Sequence, residues 1–557
     1  MKKRTKAISI LLALIMLITV CPITAVTVSA ADETVYTCGI YEYTLTYEGA
    51  AIVGCNGTDR SLTIPSTLDG NKVVEIGKCV FLGAALDSLT IPEGVTTIRQ
   101  FALADSEITD ISFPKSLKNV EKGAFDDAAF FVEAKKKSDF YIIGDGLLYW
   151  YNKNRMNIVV PDTVKTIPEW LFNRCFADTV VLSKNITEIP EGAFRDSKCI
   201  SITLGSRVRC IDSYAFTNCT NLESITIPDS VQWVAYRAFK NCTSLKNVDL
   251  GKIQNIATSL FENCTSLESL TLPDGINEIR GAAFMGCTAL DNLVIPDGCT
   301  LIDWCAFQNC TSLKNLTVPK SVKTISEYAF ENTPFLENHR EKYVILGDEV
   351  LVQYNGTDKT VNIPDGVKKI APIVFDSNEI IEYVTIPDTV TEIGLYAFAS
   401  TNIRNLKLPK NLEIIGASAF RFCSNITEVA IPGSVRVIND SAFFVCQNLK
   451  TIVVPRSVEE IKIDAFACCD DEAVVYGFDG SYIQQYAAEK NLTFSVLPDE
   501  GDINADGKVS LIDAVTAQKA AIQAVSLDIL KTAVADINGD LSVTIFDAIS
   551  IQKLSLQ

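Results

Sequence analysis

Apolar residues recur along this chain with a period of 22 or 23 residues. In one copy, Ile225-Thr226-Ile227 alternates apolar and polar positions as a short half-buried strand does, and Pro228 ends it because proline has no N–H to donate. The copy closes on Phe239, one large core residue per turn. This phenylalanine returns at Phe172, Phe194, Phe216, Phe261, Phe284, Phe307 and Phe330, and again at Phe375, Phe398, Phe420, Phe443 and Phe466.

A fixed period of this size predicts one supersecondary unit that is copied and stacked. A single turn buries about five apolar side chains, which gains roughly 8–15 kcal/mol. Fixing the backbone of about 22 residues costs upwards of roughly 20 kcal/mol, so one turn cannot fold alone. Strand pairing and packing between neighbouring turns must supply the difference, and we expect a repeat solenoid.

The repeated motifs resemble those of a known family. The Leu-x-x-Ile-x-Ile-Pro run, the Val-x-x-Ile pair and Ala-Phe-x-x-Cys are similar to the BspA-like leucine-rich repeat of bacterial surface and secreted proteins, over about residues 60–497. This resemblance implies a leucine-rich repeat solenoid that is β-rich, with a short helical or irregular convex side. Members of this family bind many kinds of partner, so the resemblance does not by itself identify a ligand.

The period breaks twice, and both gaps hold similar filler. YIIGDGLLYWYN precedes Pro161 and YVILGDEVLVQYN precedes Pro364, so we expect β-hairpin insertions near residues 126–158 and 331–360, bending at Gly144-Asp145-Gly146 and Gly347-Asp348. A third, more divergent copy of this hairpin sequence is YEYTLTYEG near the N-terminus. The predicted domains are an N-terminal cap at 31–60, the solenoid at 61–472 and a C-terminal cap at 473–498, where SYIQQYAAEKN predicts a helix with Ser481 as N-cap.

Residues 1–30 have the pattern of an export signal. Lys2, Lys3 and Arg4 precede an apolar run, and Val28-Ser29-Ala30 forms a small-residue cleavage site. The alternative is a membrane anchor, but the run is short for a spanning helix and ends at Pro22. We therefore expect a secreted, extracellular protein with no membrane insertion, held at a cell surface or on a larger assembly.

Charge and cysteine content narrow the possible partners. The formal net charge of −19 would repel nucleic acid and anionic membranes, so neither is an expected partner. Half of the 18 cysteines lie three residues after a repeat phenylalanine, and we expect them to be reduced core residues. These are Cys175, Cys219, Cys242, Cys264, Cys287, Cys310, Cys423, Cys446 and Cys469. Pairing of Cys38 with Cys55, or of Cys199 with Cys210, stays open.

Two acidic loops near the C-terminus are spaced 34 residues apart. In the first, Asp502, Asn504, Asp506, Ser510 and Asp513 take positions 1, 3, 5, 9 and 12 of a calcium loop, with Gly507 at the turn and the Lys508 carbonyl at position 7. In the second, the same positions are taken by Asp536, Asn538, Asp540, Thr544 and Asp547, with the Ser542 carbonyl. Two loops in register, each opening a helix, predict two Ca²⁺ sites.

This duplicated loop–helix at about 499–557 resembles a type I dockerin, a small all-α module that folds around two calcium ions and binds a cohesin module. Dockerins tether secreted components to the scaffolding proteins of cellulosomes, which degrade plant fibre. The resemblance assigns cohesin recognition to positions 10 and 11, with lysines at the rim: Leu511, Ile512, Lys519, Ile545, Phe546 and Lys553. The alternative for the apolar pairs is packing between the dockerin helices.

The second loop departs from the pattern at one position. Leu541 stands where glycine is expected, and a left-handed backbone there costs about 1–2 kcal/mol. We expect the second calcium site to be the weaker one. The two recognition pairs also differ from each other, which argues against binding in two equivalent orientations.

The sequence contains no recognisable catalytic set. Its only histidine, His339, lies in a charged insertion and is expected to be a solvated loop residue. Cysteines spaced one per turn do not suit a zinc site. Trp150, Trp233 and Trp304 are scattered and are expected to pack rather than to form a sugar platform.

A polar row is the other candidate surface. The outward residue of the strand is Thr or Ser in half of the sixteen turns, either as a ligand-binding ladder or simply as a row of β-forming residues. These residues are Thr63, Thr90, Ser112, Thr203, Thr226, Thr271, Thr317 and Thr385.

The sequence therefore predicts a non-catalytic repeat protein, tethered through its dockerin to a cohesin, whose solenoid binds a protein or a polysaccharide in plant polysaccharide breakdown. The alternatives are a surface adhesin or protease inhibitor, and an unrecognised glycoside hydrolase within the insertions at 126–158 or 331–360.

Overall fold

The computed structural model describes residues 34–506 and 508–556. The predicted export signal at 1–30 and Gly507 of the first calcium loop lie outside the described residues. The chain divides into two compact units, Met1–Tyr151 and Asn152–Gln557. Both are built of stacked coils, so the predicted β-solenoid is confirmed.

Most coils of the second unit contribute two very short strands, and these strands pair in parallel with the equivalent strands of neighbouring coils. Ser224–Thr226 pairs with Asn247–Asp249, and Cys210–Ile211 pairs with Trp233–Val234. The longer strands are Asn157–Val159, Thr179–Val181, Ser201–Thr203, Ser224–Thr226, Asn247–Asp249, Asn292–Val294, Asn315–Thr317, Thr360–Asn362, Tyr383–Thr385, Glu428–Ala430, Thr451–Val453, Val474–Gly477 and Thr493–Val496. The two-residue strands are Glu188–Ile189, Cys210–Ile211, Trp233–Val234, Asn255–Ile256, Glu278–Ile279, Leu301–Ile302, Thr324–Ile325, Lys369–Ile370, Glu392–Ile393, Ile414–Ile415, Val437–Ile438 and Glu460–Ile461.

The first unit repeats this plan behind an antiparallel start. The strands Tyr36–Cys38, Tyr41–Leu45 and Ala50–Cys55 form an antiparallel meander, and the last of them pairs in parallel with Asn71–Ile76. This meander contains the third hairpin that the sequence predicted. The remaining strands of the coils are Ser61–Thr63, Thr67–Leu68, Ser88–Thr90, Thr97–Ile98, Asp110–Ser112 and Asn119–Val120.

Both predicted insertions are antiparallel hairpins. Phe140–Ile143 pairs with Leu147–Tyr151, and Tyr343–Leu346 pairs with Val350–Tyr354. Each hairpin follows a helix that the sequence pattern did not reveal, α1 (Ala129–Lys137) and α2 (Pro334–Glu337). The helices bury Phe130, Phe131 and Phe335, so the insertions are packed segments of the fold.

The core of the second unit is a column of stacked rings beside a column of thiols. Neighbouring repeat phenylalanines lie face to face with centroids 4.9 Å apart at Phe172–Phe194 and 5.9 Å apart at Phe307–Phe330. The predicted cysteine column lies beside them, and eight of its nine members are buried. All cysteines of the described residues are free, including Cys38, Cys55, Cys199 and Cys210, so none of the pairings left open is formed.

The turns of the coils use left-handed backbone at residues other than glycine. Tyr214 (φ +59°) and Asn218 (φ +61°) flank Phe216, and most coils repeat this pair of positions. Asparagine tolerates this conformation, and its amide then joins neighbouring coils. The Asn241 amide donates to Oδ1 of Asn218 at 2.9 Å, and the Asn263 amide donates to Oδ1 of Asn241 at 3.0 Å.

One helix lies between the last two strands of the solenoid in the sequence, and three further helices follow. Helix α3 (Tyr482–Lys490) begins after Ser481 as predicted, although the Ser481 hydroxyl donates to the Phe478 carbonyl instead of capping the helix. The C-terminal segment then forms α4 (Leu511–Ala521), α5 (Ile529–Ala535) and α6 (Ile545–Leu554). The sequence predicted α4 and α6 from the duplicated loops, and it did not predict α5.

Candidate metal centre and partner surfaces

The first acidic loop folds its oxygens toward one backbone amide. The Asp506 N–H donates to Oδ1 of Asp502 at 3.1 Å and to Oδ1 of Asn504 at 2.8 Å. Positions 1 and 3 of the loop therefore converge on position 5, as alternate side chains wrapping one cation require.

The second loop repeats this geometry. The Asp540 N–H donates to Oδ1 of Asp536 at 3.0 Å and to Oδ1 of Asn538 at 2.9 Å. The same hydrogen bonds 34 residues apart mean that the duplication seen in the sequence is a duplication of structure.

Each loop ends by capping the helix that follows it. The Ser510 amide donates to the Asp513 carboxylate at 2.9 Å, and the Ile512 amide donates to the Ser510 hydroxyl at 3.2 Å. Thr544 and Asp547 form the same capping box on α6. Positions 9 and 12 of each loop are therefore also the N-cap and N3 residues of a helix, which fixes the loop against it.

Burial and charge show that the residues present fit a hard cation. Asp502, Asp513, Asp536 and Asp547 are all buried. Among the ion pairs of the described residues, none joins Asp513, Asp536 or Asp547 to a lysine or arginine. Buried carboxylates without a cation are costly, and an all-oxygen set of carboxylates, amide and hydroxyl is the one that Ca²⁺ prefers.

Electrostatics in the second loop point the same way. Burial, together with repulsion from the Asp540 and Asp547 carboxylates, raises the pKa of Asp536 to about 6. In the described part of the chain, no three His, Cys, Asp or Glu side chains gather closely enough to hold a metal by themselves. The amide, hydroxyl and backbone oxygens of the loops, including the carbonyls of Lys508 and Ser542, would have to complete each site.

Leu541 adopts the left-handed conformation that the sequence analysis expected, with φ +59°. Its amide donates to the Asp536 carboxylate, and its side chain packs against the core of the last solenoid coils. The loop therefore accepts a strained residue whose side chain makes a contact outside the loop.

The six predicted recognition residues are all exposed. Leu511 and Ile512 open α4, Ile545 and Phe546 open α6, and Phe546 is 72% exposed. Packing between the two helices is made instead by Ala514, Ala517, Ala548 and Ile551. Lys519 and Lys553 lie in the last turns of α4 and α6 and are also exposed.

On the solenoid, every member of the Thr/Ser row is exposed to solvent. Trp233 and Trp304, which the sequence analysis expected to pack, are 47% and 42% exposed. Trp304 packs closely against Gly281, where a Cβ would come within 2.2 Å of its ring nitrogen.

A cluster that the sequence analysis missed lies on successive coils, two or three residues before the repeat phenylalanine or directly after it. The guanidinium of Arg195 lies 5.5 Å from the Trp170 ring and 5.6 Å from the Tyr214 ring. Arg237 lies 5.9 Å from Tyr214 and 5.8 Å from Tyr236. We call these five residues the aromatic–arginine cluster. Its signal in the sequence is an aromatic residue two positions before the repeat phenylalanine at Trp170 and Tyr214, both of which adopt left-handed backbone.

The only histidine of the sequence contacts a carboxylate and an aromatic ring of its own insertion. His339 Nδ1 is 3.0 Å from the Glu341 carboxylate, and the imidazole packs edge-on against Phe335. No serine or cysteine is among these contacts, and the insertion around it is the α2–hairpin segment of the fold.

The stacked coils and the duplicated loop–helix define a repeat protein with an appended calcium-loop module. The family model for the BspA type leucine rich repeat region (6 copies) matches residues 59–149, 142–264, 235–341 and 353–472, and the chain belongs to this family. The family model for the dockerin type I domain matches residues 500–554, and the chain carries such a domain. Both are non-catalytic kinds of domain.

Several solved structures are similar to the chain. A leucine rich cell surface protein from Faecalibacterium prausnitzii A2-165 is 27% identical, with 82% of this chain and 97% of that one covered and a TM-score of 0.27. A leucine-rich repeat protein from Bacteroides ovatus is 20% identical, with 83% and 99% covered and a TM-score of 0.25. One from Eubacterium ventriosum is 22% identical, with 49% and 77% covered and a TM-score of 0.30.

No curated protein matches the chain. The part of the chain that the structure describes includes no helix with the length and apolar character needed to cross a membrane.

Proposed function

We propose that this chain is a secreted, non-catalytic component of a cellulosome-type assembly. Its dockerin binds a cohesin module of a scaffolding protein, with Ca²⁺ in both loops, and its solenoid binds a protein or a polysaccharide during plant polysaccharide breakdown. The dockerin match and the typical extracellular setting of both domain families support this placement.

One observation carries the tether: an exposed apolar pair stands at the start of each of two helices whose first turns are organised by acidic loops. Leu511-Ile512 and Ile545-Phe546 are each held by a capping box that includes a calcium-loop carboxylate. Removing calcium would therefore disturb the helix starts that present these side chains, which makes partner binding calcium-dependent. Exposed apolar residues grouped in this way favour a protein partner.

The tether is tested by surface plasmon resonance of the full chain against a panel of type I cohesins, in calcium and in EGTA. We expect nanomolar to micromolar binding to at least one cohesin, lost in EGTA and weakened when Phe546 is replaced by Asp. Thr63→Asp is the control, because it introduces the same residue at an exposed position of the solenoid, far in the sequence from the dockerin. Cohesin binding that survives EGTA would contradict the proposal.

The solenoid's ligand is the less specified half of the proposal. The aromatic–arginine cluster favours a polysaccharide or a glycosylated protein, because exposed aromatic rings stack on sugar faces and guanidinium groups donate to hydroxyls and carboxylates. Affinity electrophoresis of the full chain in gels containing cellulose derivatives, xylan or pectin tests this directly. Capture of a secreted protein from a fibre-grown culture, with no retardation in any gel, would favour the protein ligand instead.

The same samples test the alternatives to a non-catalytic role. We expect no release of reducing sugar from these polysaccharides by the purified chain. Activity that is lost when an acidic residue of the insertions at 126–158 or 331–360 is replaced would instead establish a glycoside hydrolase. Inhibition of a secreted protease, or adhesion to host cells without cohesin, would favour the protease-inhibitor and adhesin alternatives.

A further inference from the structure

We propose that the dockerin of this protein is docked on the last coils of its own solenoid, so that calcium binding at the second loop and this docking stabilise each other. The interface consists of α5 and the second loop on one side, and Ala430, Gly433, Val453 and Tyr476 on the other. The inference rests on the proposed function only in taking Ca²⁺ as the ion of the second loop.

The backbones meet at a pair of glycines. The Gly433 N–H donates to the Gly539 carbonyl at 2.7 Å, and a Cβ on either residue would come within 2.8 Å of the other's Cα. Gly539 lies in the second loop, between Asn538 and Asp540. Only a residue without a side chain permits this approach from either partner.

The sequence of the repeat singles out Gly433. In eleven other turns the residue after the repeat proline is charged: Glu93, Lys115, Asp162, Asp229, Asp274, Asp297, Lys320, Asp365, Asp388, Lys410 and Arg456. The one turn that faces the second loop has glycine at this place. A charged side chain there would collide with the loop, so the departure from the repeat pattern matches the contact.

The outward strand row changes character at the same coils. Earlier coils have threonine in this row at Thr226, Thr317 and Thr385 and exposed valine at Val159 and Val294, whereas the last three coils have Ala430, Val453 and Tyr476. Val453 is 3% exposed, while Val294 at the equivalent position is 65% exposed. The exposures differ because α5 covers Val453. Val453 clusters with Val534, Phe478 and Leu497, and three more residues of α5 pack around this cluster: Ile529, Leu530 and Ala533.

Two further contacts join the module to the coils. Leu541 packs against the core cluster of the last coils, and Arg456 lies 3.6 Å from the Glu500 carboxylate while its guanidinium stacks 4.9 Å from the Phe478 ring. The second loop is thus held between its own ligands and the solenoid. An ion that orders this loop orders one side of the interface, and linkage requires that docking tighten the ion in return.

The test uses the full chain with substitutions taken from the repeat itself. Gly433→Asp and Val453→Thr give the last coils the residues that other coils carry, so the coil fold is preserved while the interface is lost. Val294→Thr is the matched control, since it makes the same change at an exposed position of the same row. Calcium is titrated calorimetrically, and hydrogen–deuterium exchange is followed at residues 451–478 and 529–535 with calcium and with EGTA.

We expect calcium to slow exchange in both segments of the parent and of Val294→Thr. In Gly433→Asp and Val453→Thr we expect this protection to disappear and the second calcium step to weaken about five-fold or more, with the first step unchanged. Calcium binding at both loops with all variants like the parent would overturn the docking inference and leave the proposed function standing. A parent that binds calcium at neither loop would overturn both.

Discussion

The thiol of Cys242 donates a 3.2 Å hydrogen bond to the backbone carbonyl of Phe216, the ring-bearing residue of the preceding coil. The same bond links Cys264 to Phe239 and Cys287 to Phe261. Since the Phe216 carbonyl already accepts from the Cys219 amide of its own coil at 3.1 Å, the thiol meets the second hydrogen-bonding capacity of a buried carbonyl. The cysteine column is therefore a polar seam between coils as well as a small apolar filler.

Replacing Cys242 by alanine is expected to lower the free energy of unfolding by about 1–3 kcal/mol, because it leaves a small cavity and removes one of the two donors to a buried carbonyl. Cys79→Ala, at an exposed cysteine, should change it by less than about 0.5 kcal/mol. Guanidinium titrations followed by circular dichroism measure both. Equal effects of the two substitutions would show that the column contributes nothing.

The buried thiols also predict how stability depends on pH. Burial raises the pKa of Cys310 to about 12 and that of Cys423 to about 11, against an ordinary value of 9. Below pH 9 the thiols are protonated in both states and cost nothing. Between pH 9 and about 11–12 only the unfolded chain loses these protons, so stability should fall, by up to about 1.4 kcal/mol per pH unit for each such thiol.

Thermal unfolding between pH 7 and 11 checks this dependence. A variant with Cys310 and Cys423 both changed to Ser should show a shallower decline above pH 9. A midpoint that stays constant through pH 11 in the parent chain would contradict the protonated, buried state of the column.

The sequence was sufficient where each residue's role is set by its own coil or loop. The period of Phe216 and Phe239 predicted the stack, and the spacing of Asp502 and Asp536 predicted the two loops. Helix α5 was missed because it is only seven residues long. Its apolar side chains pack on the surface of the last coils and do not form a recognisable helical period in the sequence. Tyr214 was missed as a functional candidate because local propensity disfavours its left-handed backbone, which the stacked neighbours impose.

The calcium loops predict separable losses. Asp513→Ala should weaken calcium binding at the first site, and Asp547→Ala at the second, each by about 100-fold or more. Each substitution removes a buried carboxylate that would bind the ion and leaves its hydrogen-bond donors unpaired. Asp528→Ala is the control: Asp528 caps α5 by accepting from the Lys531 amide at 2.8 Å but is not a loop ligand. It should cost about 1 kcal/mol of stability and keep the first calcium step, while the second step weakens far less than in Asp547→Ala because α5 affects that loop only through the docked interface.

Calorimetric calcium titration with each variant of the full chain distinguishes these outcomes. If Asp513→Ala and Asp547→Ala removed the same step, the two loops would not be independent sites. A parent chain with the tighter step at the second loop would contradict the expected cost of the left-handed Leu541.

The aromatic–arginine cluster predicts where a polysaccharide would be held. Trp170 packs against Gly192, where a Cβ would come within 2.4 Å of the ring, and the Arg195 guanidinium lies over the ring, 5.5 Å from its centroid. Trp170→Ala should therefore weaken retardation in a polysaccharide gel about three- to ten-fold, through loss of stacking area and of the cation–π contact. Trp304→Ala is the matched control, because Trp304 is as exposed and also packs against a glycine but has no arginine beside it among the described cation–π pairs. Equal weakening by both substitutions would mean that scattered exposed tryptophans, rather than the cluster, bind the ligand; no weakening by either would assign the ligand to another face of the solenoid.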